Sequence, residues 1–528
     1  MRDYSLWIRM AKFGVLALVL ALLVWCLLPQ GQAAGKIGPQ AKSSSAKYNI
    51  RVAIGQTYMP GTVPLGIGKE LHGMADVVGA FEQRFPDTHI ELITVPFDRE
   101  YLVTQLSSGS APDVVNVNVE DVWTDVQKGW YLALDPWLEQ PNPFIREKND
   151  PALPGFEKWW DMFKYQAISR GKAAPDQLMY CLSYDMVETG IFYNKDIFRK
   201  AGVEVPNTWE EMLAVMAKLE AFGVTPMTMY VDSFNDWGTD LIFDQLYYSL
   251  LPGIDLLQDP LREPYLQGYL DWDEICFLFQ KGYFTKSDAR YRDVFRIMKE
   301  WRRYCSADIV DSRLMLTDFV RQKAAMHWNI SQLVYRLGAD KDLGFEWGVF
   351  YLPTIGKATS KYASGNTMCV IGGSANQLEV TNTAFSDSRD PASSERLKRV
   401  MAFLQFICVP EQYEKVVNEY PCFISNIVGV ESLPPMKPFV EILERPYTTT
   451  KWVFTFDLRF CDIQRRLLEL YLNDAMDLDE FMRWQEDNIR TATDNLILRK
   501  PMDMAKMQVR WDELAPARAT MEDLPSGS

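Results

Sequence analysis

The segment Gly190-Ile-Phe-Tyr-Asn-Lys-Asp-Ile-Phe-Arg-Lys-Ala-Gly-Val-Glu-Val-Pro-Asn-Thr-Trp-Glu-Glu-Met212 decides the fold of this chain. Residues 191–201 predict a short strand followed by a helix, which Gly202 ends by adopting the left-handed conformation that other residues resist. A second helix begins after Thr208, because Thr208 and Glu211 form a capping box that satisfies two backbone amides. Its buried face is predicted to contain Met212, Leu213, Met216, Leu219 and Phe222.

The preceding 140 residues alternate between strand and helix patterns. Residues 50–54 and 88–95 predict strands, and apolar residues at helical spacing predict a helix over 74–85. A further helix is predicted over 101–106, followed by a nearly continuous apolar strand over 113–119, as expected where both faces of a sheet are covered. The pattern is typical of βαβ units and predicts an α/β fold.

Several segments carry a family resemblance. Residues 190–222, the motif Phe-Glu-Gln-Arg-Phe-Pro at 81–86 and the stretches 108–115 and 129–137 resemble the family 1 extracellular solute-binding proteins, the sugar-binding receptors of ABC importers. The similarity extends from Ile50 to about Asn488. It implies the two-lobed periplasmic-binding-protein fold, type II-like and similar to maltose-binding protein, in which each lobe is a mixed sheet flanked by helices and a cleft lies between the lobes.

The resemblance also predicts the domain organisation. Residues 48–188 and 366–420 form lobe 1, and residues 189–365 and 421–528 form lobe 2. Two stretches, about 140–180 and 255–315, are insertions that account for the unusual length. Trp159 and Trp160 in the first stretch are either core residues or a ligand-facing wall.

The N-terminus has the parts of a signal peptide. A basic start precedes the uncharged residues 13–28, a run shorter than the roughly 20 residues of a membrane-spanning helix. Cleavage is predicted after Ala33 or Ala34, which makes 1–34 the signal peptide and 35–47 a linker. The alternative is an uncleaved anchor. The protein is expected in the periplasm or elsewhere outside the cytoplasm.

Composition excludes several function classes. The formal net charge of −15 argues against nucleic acid or anionic lipid as partners. Seven cysteines remain after position 34, none in a CxxC motif; one disulfide is compatible with export, but spacing cannot choose the partners. The three histidines, His72, His89 and His327, are scattered, and no HExxH, GxSxG or P-loop motif occurs. We predict no metal, no cofactor and no catalytic residues.

Candidate ligand-binding residues come first from strand ends, where ligands bind in open α/β sheets. Gln56 and Tyr58 follow the first strand. Glu120, Asp121 and Trp123 follow the strand over 113–119, where the resembling family places carboxylates that bind sugar hydroxyls. The alternative for Glu120 and Asp121 is stabilisation of a helix N-terminus.

The resemblance implies further candidates around the lobe junction. Glu188 precedes the segment at 190, where the chain passes between lobes, and Trp328 is either a stacking platform or a core residue. The remaining candidates are Asn235, Asp236, Trp237, Asn329, Gly365 and Asn366. The implied function is the capture of a carbohydrate of the oligosaccharide class. The protein, a monomer, closes around this ligand and delivers it to an ABC permease. The alternatives are a carbohydrate sensor or lectin without a transport role and a carbohydrate-active enzyme.

Overall fold

The computed structural model describes residues 46–95, 99–117, 122, 125–164, 178–257, 270, 272–366, 369–371, 376–443, 445, 447–450, 458–499, 502–521 and 524–525. The strands are β1 Tyr48–Ala53, β2 Thr88–Ile93, β3 Val114–Val115, β4 Cys181–Ser183, β5 Asp185–Met186, β6 Thr189–Asn194, β7 Thr225–Thr228, β8 Ala324–Ile330, β9 Trp347–Phe350, β10 Cys369–Ile371, β11 Gln377–Val380, β12 Ile424–Ser425 and β13 Tyr447–Thr450. The longer helices are α1 Gly73–Arg84, α2 Arg99–Ser108, α3 Lys195–Ala201, α4 Trp209–Phe222, α5 Thr239–Tyr247, α6 Trp272–Gln280, α7 Ala289–Arg302, α8 Ser312–Val320, α9 Leu333–Ala339, α10 Glu395–Ile407, α11 Pro410–Val417, α12 Lys437–Leu443, α13 Leu458–Leu472, α14 Leu478–Arg499 and α15 Met504–Glu513.

Two sheets organise two separate apolar cores, which confirms the predicted two-lobed α/β architecture. The first sheet has the strand order β2-β1-β3-β11-β4, with β1 parallel to both neighbours and β11 antiparallel to both of its own. The second sheet has the order β7-β8-β6-β9, with β6 antiparallel to both neighbours. Each sheet is mixed, as the resemblance implied.

The deciding segment folds as predicted except at its end. Gly202 ends α3 with a φ of 65°, and Thr208 and Glu211 form the reciprocal capping box at the start of α4. The prediction that Phe222 is buried is wrong: its side chain is 48% exposed, whereas Val215 is buried. Phe222 is the last residue of α4, so the apolar stripe continues one turn beyond the part of the helix that faces the core.

Within the described residues the predicted strand over 113–119 is too long, because β3 contains only Val114 and Val115 and residues 116–117 are not strand; residues 118–119 lie outside the described part. Carboxylates interrupt the backbone ladder on both sides of β3. The buried side chain of Asp113 accepts a hydrogen bond from the backbone N–H of Arg51 at 2.8 Å and two from Arg396. Beyond the strand, the N–H of Val117 donates to Glu379 Oε2 at 3.3 Å.

The described parts of both long stretches contribute to the cores. Trp159 is fully buried in the first core, with Nε1 3.2 Å from Sγ of Cys408, and Trp160 is half-buried against the same core. In the second stretch, α7 places Trp301 in the second core. Trp159 is therefore a core residue. The assignment of the two stretches as insertions remains a prediction.

The N-terminal predictions lie largely outside the described residues, which begin at Ala46. They include the signal peptide 1–34, its cleavage site and most of the linker 35–47. Within the described ranges, none of the helices combines the length and the apolar character needed to cross a bilayer.

Candidate functional site

Strands β5 and β12 pair between the two cores and form the structural junction of the lobes. Met186 of β5 lies opposite Ile424 of β12, and both side chains belong to the second core. The residues just before them in the chain, Tyr184 and Phe423, belong to the first core. Asp185, which precedes Met186 in β5, accepts hydrogen bonds from Tyr58 and Tyr413 of the first core, so the two residues of this strand contact opposite cores, as the alternation of side chains along a strand requires. Beyond residue 420, Phe423, Ile427 and Val430 belong to the first core and Ile424 to the second, and the lobe boundary after 420 stays a prediction.

Glu188 lies at this junction, where the chain enters the second sheet. Its side chain is fully buried, and Oε1 accepts a hydrogen bond from the N–H of Thr189 at 2.8 Å. Ser331, directly after β8, binds the same segment: its N–H donates to the Glu188 carbonyl at 2.7 Å. The hydroxyl of Ser331 donates to the carbonyl of Cys422 at 2.7 Å. Three chain segments therefore meet around Glu188.

A stripe of carboxylates lies on one face of the helical segment beside Glu188. Asp236, Asp240 and Asp244 follow one another at four-residue spacing, which places their side chains on the same face. Asp240 and Asp244 are almost fully buried. Burial, followed by the negative charges of Asp240 and Glu188, raises the pKa of Asp244 well above its usual value. Burial therefore favours the protonated form of Asp244, and a protonated carboxyl can donate a hydrogen bond as well as accept one.

The predicted residues Asn235 and Asp236 lie in a π-helical turn, Phe234–Gly238, just before α5. Nδ2 of Asn235 donates to Oδ1 of Asp236 at 3.0 Å, and Oδ1 of Asn235 accepts a hydrogen bond from Nε2 of Gln464 at 3.0 Å. Gln464 belongs to α13, so a C-terminal helix orients this turn. The neighbouring Trp237 is only 4% exposed and packs in the second core.

The end of β8 places Trp328 and Asn329 differently. Trp328 is 2% exposed, and its ring makes an edge contact with Trp301, with centroids 5.4 Å apart. It is a core residue in this structure. Asn329 is half-buried; its Oδ1 accepts from the N–H of Ile330 at 2.9 Å, which turns its Nδ2 toward Nε2 of His327, also at 2.9 Å.

His327 is buried and neutral. Its Nδ1 lies 2.8 Å from Oγ1 of Thr228, and its Nε2 faces the amide donor of Asn329. Burial first, and the positive charge of Arg336 as a smaller cause, lower the pKa of His327 from 6.5 to about 4. Since an amide N–H can only donate, Nε2 is the acceptor and the ring proton lies on Nδ1.

Tyr58, which follows β1 in the first lobe, and Asp185 of β5 belong to one buried group of hydrogen-bonded side chains. The carboxylate of Asp185 accepts hydrogen bonds from the hydroxyls of Tyr58 and Tyr413 and from the N–H of Asn376, the last at 2.9 Å. Burial, followed by the charge of Asp185, raises the pKa of Tyr58 well above its usual value. Tyr58 is 2% exposed, whereas Gln56 beside it is exposed.

The remaining predicted residues are exposed or lie outside the described part; Ser364, just before Gly365, donates its N–H to the carbonyl of Gln245 in α5 at 3.0 Å. Gly365 and Asn366 are exposed, and Gly365 has a φ of 75°. Glu120, Asp121 and Trp123 lie outside the described residues. Across the described ranges, no group of three or more His, Cys, Asp or Glu side chains is arranged to hold a metal ion.

The structure thus brings Glu188 close to the carboxylate stripe and connects Asn235 with Asp236. Sequence reasoning missed Asp240, Asp244, Ser331 and Gln464. The four-residue spacing of the aspartates was visible in the sequence, but their proximity to Glu188 joins positions about 50 residues apart.

Comparisons with known proteins agree with this architecture. A family model described as bacterial extracellular solute-binding protein matches residues 71–412. The multiple sugar-binding protein of Streptococcus mutans is 25% identical over 153 residues, which are 29% of this chain and 32% of that protein. The osmoprotective compounds-binding protein GgtB of Synechocystis is 29% identical over 156 residues, which are 29% of this chain and 33% of that protein. The matched segments span about a third of the length of these curated relatives.

Solved structures show the fold over most of the chain. The unliganded form of RafE from Streptococcus pneumoniae superposes with a TM-score of 0.55 at 18% identity, covering 86% of this chain and 100% of that one. A family 1 extracellular solute-binding protein from Bifidobacterium longum subsp. infantis gives a TM-score of 0.58 at 16% identity, covering 84% of this chain and 99% of that one. Since the family match over 71–412 covers more than half of the 528 residues, the chain belongs to the bacterial extracellular solute-binding protein family.

Proposed function

We propose that this protein binds a carbohydrate of the oligosaccharide class between its two lobes and delivers it unchanged to an ABC permease. The family match over 71–412 is the observation that carries the proposal. The multiple sugar-binding protein of Streptococcus mutans and a structural relative determined with raffinose favour a sugar as the solute. Family membership also implies export.

The polar groups near the lobe junction suit a sugar. A sugar presents many hydroxyl donors, and carboxylates are strong acceptors for them. Glu188, Asp240 and Asp244 supply such acceptors from the second lobe, and Asp244, whose pKa is raised, supplies a donor when it is protonated. A hydrogen bond to a charged group contributes about 1.5–3 kcal/mol, so loss of one such acceptor is expected to weaken binding about tenfold or more.

The connection at Glu188 suits closure around a ligand. The β5–β12 ribbon and the Ser331 hydroxyl connect the two lobes, and we propose that the lobes close around the ligand by bending at this connection. A ligand shifts the balance between open and closed forms only if it binds the closed form more tightly, so it must contact both lobes. The predicted contacts from the first lobe are Gln56, Glu120, Asp121 and Trp123, and we assign the contact from the second lobe to Glu188 and the carboxylate stripe.

A thermal-shift titration with raffinose, maltotriose and diacetylchitobiose tests the carbohydrate assignment. A sugar at 100 times its dissociation constant stabilises the folded protein by about 2.7 kcal/mol, which raises the apparent Tm. Glu188→Gln keeps the side-chain size and is expected to weaken this response. Glu220→Gln, an exposed position on the outer helix α4, is the matched control and should behave as the wild type.

Two results would contradict the proposal. The first is the absence of any Tm increase with a broad panel of mono- and oligosaccharides. The second is release of cleavage products from a labelled oligosaccharide, because a transport receptor returns its ligand unaltered. Stimulation of ATP hydrolysis by a permease encoded beside this gene would distinguish import from a sensor or lectin role.

A further inference from the structure

A cavity of about 210 Å³ lies between the C-terminal helices α13 and α14. Its walls combine an indole, a carboxylate, amides and a hydroxyl, which is the set of groups that binds a sugar ring. The lining residues are Arg459, Phe460, Ile463, Trp484, Asp487, Asn488, Thr491, Ala492 and Asn495.

Four of these residues occupy one face of α14. Trp484, Asp487, Asn488 and Thr491 are separated by three, four and seven residues, so their side chains are neighbours along the helix. The indole of Trp484 is 50% exposed, although large aromatic side chains usually bury most of their surface. Within the described part of the chain, neither this indole nor the carboxylate of Asp487 makes a hydrogen bond, an ion pair or a ring contact.

The other polar groups are held in place by the helix pair. Nδ2 of Asn488 donates to the carbonyl of Phe460 at 3.0 Å, which leaves its carbonyl oxygen directed away from that bond. The hydroxyl of Thr491 donates to the carbonyl of Asp487 at 2.9 Å, and its lone pairs are acceptors. The cavity therefore offers a flat apolar face beside fixed acceptors.

The cavity borders α13 about one helical turn from the residues of that helix that contact the lobe junction. Phe460 lines the cavity, and Gln464 and Arg465 contact Asn235 and Asp232. Asn235, Asp236 and the other residues proposed to contact the cleft ligand are not among the lining residues, so an occupant of the cavity would bind a separate set of side chains.

We propose that this cavity is an accessory carbohydrate site that binds one pyranose ring, with the ring stacked on Trp484 and its hydroxyls donating to Asp487. The size supports a single ring, since 210 Å³ is below the roughly 300 Å³ at which ordinary small-molecule pockets begin. One stacked ring gives weak binding, with a dissociation constant on the order of millimolar. The choice of a sugar rests on the proposed function.

The test follows Trp484 itself. The protein is labelled with 5-fluorotryptophan, the fluorine NMR signal of Trp484 is identified from Trp484→Phe, and raffinose and methyl glucoside are titrated. We expect a saturable shift of that signal in the wild type and in Glu188→Gln, and a loss of affinity of about tenfold in Asp487→Asn. Leu498→Ala, which removes an 85% exposed side chain from the same helix outside the cavity, is the matched control and should leave the shift unchanged.

The outcomes separate this site from the cleft. An unmoved Trp484 signal in a protein whose Tm a sugar raises would refute the accessory site and leave the proposed function standing. A saturable Trp484 shift, with a Tm increase that Asp487→Asn removes and Glu188→Gln retains, would support the accessory site and count against the cleft. No response in either measurement would refute both.

Discussion

Replacing His327 with glutamine should remove a defined part of the acid sensitivity of this protein. His327 is buried, and its Nε2 faces the amide donor of Asn329, so a proton at Nε2 would set two donors against each other. The pKa of this histidine is about 4 in the folded protein, compared with an ordinary value of 6.5. The unfolded chain therefore takes up the proton first as the pH falls.

The size of the effect follows from these two pKa values. Stability is complete above pH 6.5 and is lost as the pH falls toward 4, because protons bind to the unfolded state in that interval. The full loss approaches about 3 kcal/mol. At about pH 5 the expected loss is about 2 kcal/mol relative to about pH 7.5.

The assay is urea unfolding of the wild type and His327→Gln at several pH values between about 7.5 and 5. The difference between the two proteins in unfolding free energy should change by about 2 kcal/mol across this range. Asp244, with its raised pKa, acts in the opposite direction, since the folded state binds its proton more tightly, but that contribution is present in both proteins and cancels. His72→Gln at an exposed position is the control and should keep the wild-type loss. A pH-independent difference between wild type and His327→Gln would refute the assignment of a neutral buried His327.

Three further substitutions test the packing and capping. Thr208→Ala removes the capping box of α4 and should cost about 1 kcal/mol in chemical denaturation, whereas Thr208→Asp should retain most of the stability. Trp159→Ala should cost about 3–5 kcal/mol because the indole is fully buried, and an effect below about 1 kcal/mol would show that the site is not core. Gly190→Ala places a methyl group 2.6 Å from Val349 and 3.1 Å from Phe439, which should lower stability by about 1–3 kcal/mol; an unchanged urea midpoint would contradict this close approach.

Local chemistry made part of the fold predictable. The strand β6, the glycine at the end of α3 and the capping box of α4 depend on residues within a few positions of one another, so the pattern contains the information. The errors arose where distant residues intervene. Asp113 and Glu379 bind backbone amides beside β3 and shorten it, and neither contact can be inferred from the local apolar pattern.

The candidate site was less predictable than the fold. Glu188 was selected because the resemblance places an acid where the chain changes lobes, and the structure places it among buried carboxylates. Trp328 shows the limit of such reasoning, because a tryptophan at the end of a strand can serve either a ligand or the core. Its contact with Trp301, 27 positions earlier in the chain, places it in the core. The role of every candidate in ligand binding remains a prediction.

The sequence by itself determined the family, the alternation of strands and helices and the segment where the chain enters the second lobe, because these depend on short motifs and on residue spacing. The tertiary structure alone decided which polar residues meet. It brings Glu188 near enough to Asp244 to raise the pKa of that carboxyl. It also places Asn235 in a hydrogen bond with Gln464 and Trp484 in the wall of the cavity between α13 and α14. The physical reason is that burial and proximity between distant segments arise only when the two cores form, and these properties set the pKa values and the partners of the polar side chains.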